Sequence, residues 1–259
     1  MNIYFWNINN SIQSFNLAKD IVSQENESIF IVSEFWDIYD QINLPDSFGF
    51  VNDDIHKRVG IITNNNFRVN FEESKKYYLI TSLVFNSIKI IICSVHFLAK
   101  NKDPDVQKRI VEKTINEINE SLNSYDSNNK IIIGDFNIEP FDDSMLNIYN
   151  FNSVSSIEHR SKLYKTYQDV DYDIYYNPFF SYHGDLSAGP PGTYFYEKET
   201  QTQPWYIFDQ ALINSKFLNN IDTKECNVLE KLNGIGLTKK SGRPKTDYSD
   251  HLPIKIKIN

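Results

Sequence analysis

Short runs of β-branched and aromatic residues, separated by polar turns, dominate the chain and predict a fold built mainly from strands. Residues 1–9 alternate apolar and polar side chains. Residues 131–133 are three successive isoleucines, which is typical of a strand buried on both faces. Further strands are predicted at 28–34, 59–62, 67–71, 77–85, 87–95 and 205–214, and a last strand directly follows His251. Asn86 and Ser87 are typical of a hairpin turn.

Two segments carry the 3.6-residue periodicity of amphipathic helices. Residues 11–24 place Ile12, Phe15, Leu17, Ile21 and Val22 on one face. The clearest helix is predicted at residues 105–122, with Asp103 or Asp105 as its N-cap. A short helix is predicted at residues 144–149. Strands in both halves of the chain, with helices between them, favour an α/β fold of two sheets packed face to face and covered by helices.

Polar or ionisable side chains stand at the ends of six predicted strands. A single carboxylate at a strand end is usually just solvated, but six such ends in succession indicate convergence on one pocket. In chain order the groups are Asn7 and Asn9, Glu34, His96, Asp135 and Asn137, Asp209, and Asp250 with His251.

The stretch from Gly134 to Asn137 carries the strongest of these signals. Gly134 is predicted to end the isoleucine strand and to allow a tight turn. Asp135 and Asn137 are two residues apart, so an extended backbone directs both side chains to the same spot. Asp135 can accept a proton from water or hold a metal, and Asn137 can donate to a phosphate oxygen. The tetrapeptide alone is also compatible with an ordinary turn.

Taken together, the motifs WNIN, SE, SVH, GDFN, FDQ and SDH resemble the endonuclease/exonuclease/phosphatase superfamily, in order and over essentially the whole chain. The resemblance implies the deoxyribonuclease I-like fold, a four-layer α/β sandwich of two packed, mainly antiparallel sheets flanked by helices. It also implies one domain over residues 1–259. Asn177-Pro178-Phe179 and the later Pro-Gly-Thr-Tyr before FDQ resemble a bacterial branch of the superfamily, and this narrower likeness brings no substrate with it.

A divalent metal is the cofactor that the resemblance implies. The Glu34 carboxylate suits hard Mg²⁺ or Mn²⁺, which need few protein ligands. By resemblance, Asn7 and Asp250 complete or support that site. The sequence contains no Cys/His cluster with zinc spacing, no phosphate-binding Gly-Lys-Ser loop and no Gly-x-Ser-x-Gly elbow.

The remaining polar residues receive catalytic roles from the same resemblance. His251 is expected beside the scissile phosphate, with Asp209 fixing its tautomer and raising its basicity. Asp135 is the expected base for the attacking water, and Asn137 positions phosphate or water. His96 is expected to donate to a phosphate oxygen.

Composition limits the setting in which this chemistry occurs. The chain has 259 residues and a formal net charge of −8, which argues against tight nonspecific binding of duplex DNA. Its basic clusters, at 56–58, 239–240 and 243–245, each suggest a solvated loop. Cys93 and Cys226 are expected to be reduced thiols. With no signal peptide and no membrane span in the sequence, a cytoplasmic protein is expected.

The sequence favours a metal-dependent nuclease that hydrolyses DNA or RNA. Two alternatives remain: the same chemistry on a small phosphoester (an inositol phosphate, a lipid headgroup or a nucleotide), and a catalytically silent binding module. The complete polar set speaks against the silent module. Segment 169–202 is rich in aromatic residues, glycine and proline. It is expected to contribute to the substrate-facing rim, with Tyr182, His183 and Tyr194 as the best exposed positions.

Overall fold

A computed structural model describes residues 1–52, 55, 57–99, 103–158, 163–184 and 187–259. Within these ranges the α-helices are α1 (Ile12–Gln24), α2 (Pro104–Ser124) and α3 (Asp143–Leu146). The strands are β1 (Asn2–Asn7), β2 (Ser28–Ser33), β3 (Phe48–Asn52), β4 (Val59–Asn64), β5 (Asn70–Lys75), β6 (Tyr78–Phe85), β7 (Ile88–His96), β8 (Lys130–Asp135), β9 (Ser153–Val154), β10 (Tyr164–Tyr167), β11 (Val170–Asp173), β12 (Tyr175–Tyr176), β13 (Tyr194–Phe195), β14 (Trp205–Tyr206), β15 (Asp209–Asn214), β16 (Asn227–Val228), β17 (Lys231–Leu232), β18 (Ile235–Gly236) and β19 (Ile254–Lys257). Short 3-10 helices span Trp36–Gln41, Pro178–Tyr182, Leu218–Asn220 and Thr223–Glu225.

Most strands pair into two large sheets. The first sheet has the order β16-β19-β1-β2-β4-β3, and the second has the order β5-β6-β7-β8-β15-β12-β9. Only the β1–β2, β7–β8 and β9–β12 pairs are parallel among the described pairs of these sheets. The prediction of two mainly antiparallel sheets is therefore confirmed.

The alternation of side chains along the strands builds two apolar layers on the second sheet. Ile131 and Ile133 lie in the core that the two sheets share, while Ile132 lies on the other face. On that other face, Val111 and Ile115 of α2 pack against the sheet. Isoleucine at three successive positions of β8 is explained by this burial on both faces.

Helix α1 covers the outer face of the first sheet. Phe15, Ala18 and Val22 on its inner face are buried in the same core as β2 and β4. The side chain of Ser11 accepts from the Ser14 backbone N–H and caps the helix. The order of layers is therefore α1, first sheet, second sheet, α2, as predicted.

Several element boundaries differ from those predicted. Asp103, rather than Asp105, caps α2, because its side chain accepts from the backbone N–H groups of residues 105 and 106. The strand predicted at 67–71 is wrong, since Phe67 closes a turn on Asn64 and β5 begins at Asn70. Asn86 and Ser87 both have positive φ, which confirms the hairpin turn.

Strand directions bring the predicted polar ends to one edge of the molecule. Parallel β7 and β8 end side by side, with His96 opposite Asp135. Antiparallel β15 begins where β8 ends, so Asp209 also lies opposite Asp135. β19 is antiparallel to β1, which places His251, just before β19, near the end of β1 at Asn7. The site therefore follows from strand order and direction.

Gly134 lies within β8 and does not end it, so the predicted turn at this residue is wrong. A Cβ atom at this position would lie 2.0 Å from the Val95 carbonyl oxygen of β7. Glycine is required because β7 and β8 approach too closely for any side chain.

Gly134→Ala is expected to lower the free energy of unfolding by about 1–3 kcal/mol or more, because the neighbouring strand must move. Urea unfolding followed by circular dichroism measures this loss. Gly236→Ala is the control, since a Cβ there meets its nearest neighbouring atom at 3.8 Å. Equal stabilities of the two variants would contradict the steric argument.

None of the helices in the described ranges has the length and apolar character needed to cross a membrane.

Candidate active site

A cleft of ≈ 430 Å³ opens at the edge where the predicted polar residues meet. One part of its lining is ionisable or polar, and another part is aromatic. The polar lining residues are Asn9, Glu34, Asp135, Asn137, Asp250 and His251, and the others are Ala99, Tyr194, Tyr196, Lys198, Tyr206 and Phe208. Of the eight predicted site residues, Asn7, His96 and Asp209 lie just behind this surface, in contact with residues that line it.

His251 and Asp209 form a buried acid–imidazole pair. His251 Nδ1 lies 2.8 Å from Asp209 Oδ2, and the other ring nitrogen, Nε2, lies 4.0 Å from Asp135 Oδ2. The backbone of His251 is fixed by two bonds: its N–H donates to Ser249 Oγ, and its carbonyl accepts from the Trp6 indole. The imidazole therefore presents Nε2 toward the cleft with its orientation set by Asp209.

The electrostatics of this pair favour a protonated imidazole. Burial alone would lower the pKa of His251, but the charge and hydrogen bond of Asp209, with the charges of Asp135 and Asp250, raise it to about 10. The ordinary value is 6.5. His251 thus carries a positive charge at neutral pH.

An NMR titration of the metal-free protein is expected to give His251 a pKa of about 10. Asp209→Asn is expected to lower this pKa strongly, because burial then acts without the compensating carboxylate. Since the folded-state pKa is the higher one, the stabilisation from this pair is fully present below pH 6.5 and is lost as the pH rises through about 10. Titration of the wild-type ring near 6.5 would contradict the pairing.

Asp135 is the most enclosed carboxylate that lines the cleft. Its Oδ2 accepts from Asn7 Nδ2 at 2.9 Å, and its Oδ1 accepts from the Asn137 backbone N–H at 2.9 Å. Burial raises the pKa of Asp135, and Asp209 raises it further, against the lowering charges of His251 and His96. A buried carboxylate with raised basicity beside a cleft is suited to take a proton from water.

Asn137 reaches the cleft by a different geometry from the predicted extended one. Its φ is +52°, in the left-handed region, and its side-chain NH₂ donates to the Phe97 carbonyl at 3.1 Å. Glu34 also has a positive φ, of +54°. A third cleft residue, Asn9, has a φ of +44°. Left-handed backbone at three residues of one cleft is typical of sites where structure is held for function.

Glu34 and His96 form a second contact between the two sheets. His96 Nε2 lies 3.1 Å from Glu34 Oε1 and 3.9 Å from Asp135 Oδ2. Burial raises the pKa of Glu34, but the hydrogen bond and charge of His96 outweigh it and leave that pKa below its ordinary value.

The donor set fits a hard divalent cation. Ligand atoms of Glu34, His96 and Asp135 lie within 4.8 Å of one another, and Asp250 lines the same cleft. Asp250 is held by Asn9, whose Nδ2 donates to Asp250 Oδ1 at 3.0 Å. Ionised carboxylate oxygens with room for water are what Mg²⁺ and Mn²⁺ prefer. Asn7 is buried and braces Asp135, so its direct ligation of a metal stays a prediction.

The aromatic side of the cleft is the part that sequence reasoning mostly missed. Tyr194 lies 4.6 Å from the His251 ring and stacks at 5.4 Å on Phe208, which stacks at 5.1 Å on Tyr206. Lys198 lies over the Tyr206 ring at 5.4 Å. Only Tyr194 among these aromatic residues was predicted at the rim, although Phe208 begins the FDQ motif and Tyr206 lies two residues before it.

Segment 169–202 contributes to the rim through some of its predicted residues but not all. Tyr194 lines the cleft, and His183 is partly exposed beside Glu139, at 3.7 Å. Tyr182 was predicted to be exposed and is wrong, because it is buried and its hydroxyl accepts from the Val228 N–H. Residues 185–186 lie outside the described ranges.

Thr193, in the Pro-Gly-Thr-Tyr stretch, holds the FDQ strand by hydrogen bonds. Its Oγ1 accepts from the backbone N–H groups of Phe208 and Asp209 at 3.1 and 3.0 Å. Its carbonyl accepts from the Leu252 N–H. Thr193 thus joins the starts of the Asp209 and His251 segments and fixes the pair between them.

Solved structures of similar shape cover the whole chain. An AP endonuclease from Archaeoglobus fulgidus matches with a TM-score of 0.60 and 12% identity, over 100% of this chain and 99% of that one. A variant of the 3′ phosphatase NExo from Neisseria, bound to a product DNA hairpin, matches at 0.59 and 12%, over 100% and 99%. A humanised TDP2 from D. rerio matches at 0.56 and 16%, over 100% and 98%.

These proteins have the deoxyribonuclease I-like fold of the endonuclease/exonuclease/phosphatase superfamily, and this chain has the same fold. The fold implied by the sequence motifs is confirmed. No protein-family model matches the chain, and no curated protein matches it.

Proposed function

We propose that this chain is a divalent-metal-dependent phosphodiesterase that hydrolyses the phosphodiester bonds of nucleic acids, DNA or RNA. One observation carries the proposal: the Asp209–His251 pair, the buried Asp135 and the ionised Glu34 surround a single cleft. Structures of the same fold, including one bound to a DNA hairpin, support it.

Glu34 and Asp250, with His96 and Asp135 close by, would hold the Mg²⁺ or Mn²⁺ ion. Once bound, such an ion neutralises phosphate charge and stabilises the leaving oxygen. The chain's own residues do the rest. Asp135 accepts a proton from the water whose oxygen attacks phosphorus, while the P–O bond to the leaving group breaks.

His251 acts in this scheme as a charged hydrogen-bond donor. Because its pKa is raised to about 10, the ring is protonated at neutral pH and its Nε2–H can donate to a non-bridging phosphate oxygen. Asp209 keeps the ring in that state. His96 and Asn137 would donate to phosphate or water from the other side of Asp135.

The aromatic lining favours a substrate that carries a nucleobase over an inositol phosphate or a lipid headgroup. Tyr194, Tyr206 and Phe208 form a stacked series beside His251, and Tyr196 is half exposed at its end. Tyr196 offers an exposed ring on which a nucleobase can stack, whereas Tyr206 and Phe208 are buried. An inositol phosphate has no aromatic face for such stacking. Lys198 adds a positive charge at the same place.

The free thiols Cys93 and Cys226, both buried, support a reducing, cytoplasmic setting. The core that the two sheets share supports one domain over residues 1–259.

A substrate panel tests the proposed function. The purified protein is incubated with Mg²⁺ or Mn²⁺ and, in separate reactions, single-stranded DNA, duplex DNA, RNA, bis-p-nitrophenyl phosphate, an inositol phosphate and a nucleotide. Cleavage of an oligonucleotide that is lost in His251→Ala, purified in parallel, is the expected result. Cleavage of the inositol phosphate alone would show that the substrate is a small phosphoester and not a nucleic acid. Turnover of no phosphoester would overturn the proposal and favour a silent binding module.

A further inference from the structure

Three cations and three aromatic rings cluster immediately beside Glu34 and His96. We call Trp36, Tyr39, Lys57, Arg58, Lys76 and Tyr77 the cation–aromatic cluster. The backbone ties it to the site, because the Glu34 N–H donates to the Arg58 carbonyl and the His96 N–H donates to the Tyr77 carbonyl. The sequence suggested only a solvated loop for Lys57 and Arg58.

Ring contacts extend this cluster from the active site outward. Trp36 stacks on His96 with ring centroids 6.2 Å apart and an interplanar angle of 13°. The Arg58 guanidinium lies over the rings of Trp36, at 5.8 Å, and Tyr77, at 5.5 Å. Lys76 Nζ lies 5.2 Å from the centroid of the Tyr77 ring, and Lys57 Nζ lies 3.7 Å from the centroid of the Tyr39 ring.

Each cation of the cluster lies over an aromatic ring. Within the described parts of the chain, no ion pair joins Lys57, Arg58 or Lys76 to a carboxylate. By contrast, Lys108 and Lys113 of α2 are each paired with a glutamate one turn away. In a chain of net charge −8, these three cations gather positive charge next to the cleft, although Asp37 and Asp40 lie on the same short helix as Trp36.

Phosphate and nucleobase are the two chemical groups that this surface fits. Arg58 keeps its N–H donors in a fixed fork for a phosphate, since cation–π contacts occupy only its faces. Trp36 is 38% exposed, so part of its ring is open to a base beside its contacts with His96 and Arg58. Stacking on such a ring requires a base whose own face is open, which a single strand has and a duplex does not.

We propose that the cation–aromatic cluster binds a single-stranded nucleic-acid segment adjacent to the cleaved phosphodiester, with phosphates on Arg58 and the lysines and a base on Trp36. The inference rests on the proposed function, which it deepens by assigning the strand a track past Glu34 and His96. It also gives an overall acidic protein a local means of holding a polyanion.

Binding without turnover tests the cluster directly. Fluorescence anisotropy of a labelled ten-residue oligothymidine is measured in EDTA over a series of NaCl concentrations. Arg58→Gln/Lys76→Gln removes two cluster charges. Lys108→Gln/Arg109→Gln is the matched control, because it removes one lysine and one arginine from exposed positions of α2 that do not line the cavity beside Lys76 and Tyr77. The cluster variant is expected to reduce the slope of log Kobs against log[salt] by about 1.4, from two lost phosphate contacts of ~0.7 each. The control slope is expected to equal that of the wild type.

Trp36→Leu separates stacking from charge. Its affinity for the oligothymidine is expected to fall on the order of 10–100-fold with an unchanged salt slope, and this loss is expected to disappear for an abasic oligomer of the same length. Thermal melting followed by circular dichroism confirms that each variant is folded.

An unaltered salt slope in the folded cluster variant, or an equal loss in the α2 control, would overturn the proposal. Tighter binding of duplex DNA, with the same sensitivity to Trp36→Leu, would overturn the single-strand assignment. Hydrolysis of bis-p-nitrophenyl phosphate by the wild type reports on the proposed function separately. If that ester is cleaved while the cluster variant binds normally, the enzyme assignment stands and the cluster assignment fails.

Discussion

Hydrolysis is expected to stop when divalent cations are removed with EDTA and to return when Mg²⁺ or Mn²⁺ is restored in excess. Glu34 is an ionised carboxylate, since its pKa lies below the ordinary value, and Asp250 lines the same cleft. Without a cation these acids and Asp135 repel the substrate phosphate. A bound cation reverses that repulsion and stabilises the transition state by several kcal/mol, so the loss is expected to be on the order of 10²–10⁴-fold or more.

Glu34→Gln identifies the residue through which the metal acts. This variant is expected to need a much higher Mg²⁺ concentration for half-maximal rate, because a carboxylate ligand has become a neutral amide. Glu120→Gln, an exposed position on α2, removes the same charge away from the cleft and is the control. Full activity in excess chelator would contradict the metal requirement, and an unchanged Mg²⁺ dependence in Glu34→Gln would exclude Glu34 as a ligand.

The sequence predicted the site because the fold carries its polar groups at strand ends. His96, Asp135 and Asp209 each stand at the end or start of an apolar run, and the two sheets bring these positions to one edge. Period-two alternation and burial on both faces are local signals that a sequence displays directly. The layers and the approximate bounds of β1, β2, β4, β6, β7 and β8 were therefore accessible without coordinates. The strand β3 and the short strands β9–β13 and β16–β18 were not predicted.

The contacts between segments distant in sequence were not accessible in this way. The amide of Asn7 donates to Asp135, 128 residues away, and this bond was not predicted; the role of Asn7 at a metal stays a prediction. Tyr182 was expected to be exposed, yet its ring is buried and its hydroxyl reaches Val228. Such pairings depend on which loops meet above the sheets, and residue type alone does not encode that.

Some motif residues prove to be structural. Gln210, at the end of the FDQ motif, is fully buried and donates to the carbonyls of Ile138 and Ile207. Its Oε1 accepts from Asn177, which explains the Asn-Pro-Phe stretch noted in the sequence. A buried polar network of this kind fixes the Asp135 loop relative to β15, so its members support the site without facing the cleft.

The second large loss of turnover is expected when the proposed catalytic side chains His251 and Asp135 are removed. His251→Ala and Asp135→Ala are each expected to lower turnover by on the order of 10²–10⁴-fold, because each removes a positioned charge or base. Both proteins are expected to fold, since the apolar core does not include either side chain. Single-turnover rates with a cleavable oligonucleotide, at matched Mg²⁺, measure the loss.

His183→Ala is the matched control for His251→Ala. His183 is a partly exposed imidazole near a carboxylate, Glu139, but it does not line the cleft. Its removal is expected to leave the rate on a small phosphodiester within about twofold of the wild type, as for substitutions away from the reacting groups. A folded His251→Ala protein with a near-normal rate would exclude His251 from the chemistry.

Asp209 is expected to act only through His251, and a double-mutant cycle decides this. Its Oδ2 lies 2.8 Å from His251 Nδ1, while its Oδ1 is buried and has no hydrogen-bond partner among the described residues. As a single substitution, Asp209→Asn is therefore expected to slow turnover strongly. Made in the His251→Ala variant, the same substitution is expected to cause little further loss. The double variant then costs much less than the sum of the two single changes. Additive losses would instead show that Asp209 contributes independently, for example by binding the cation itself.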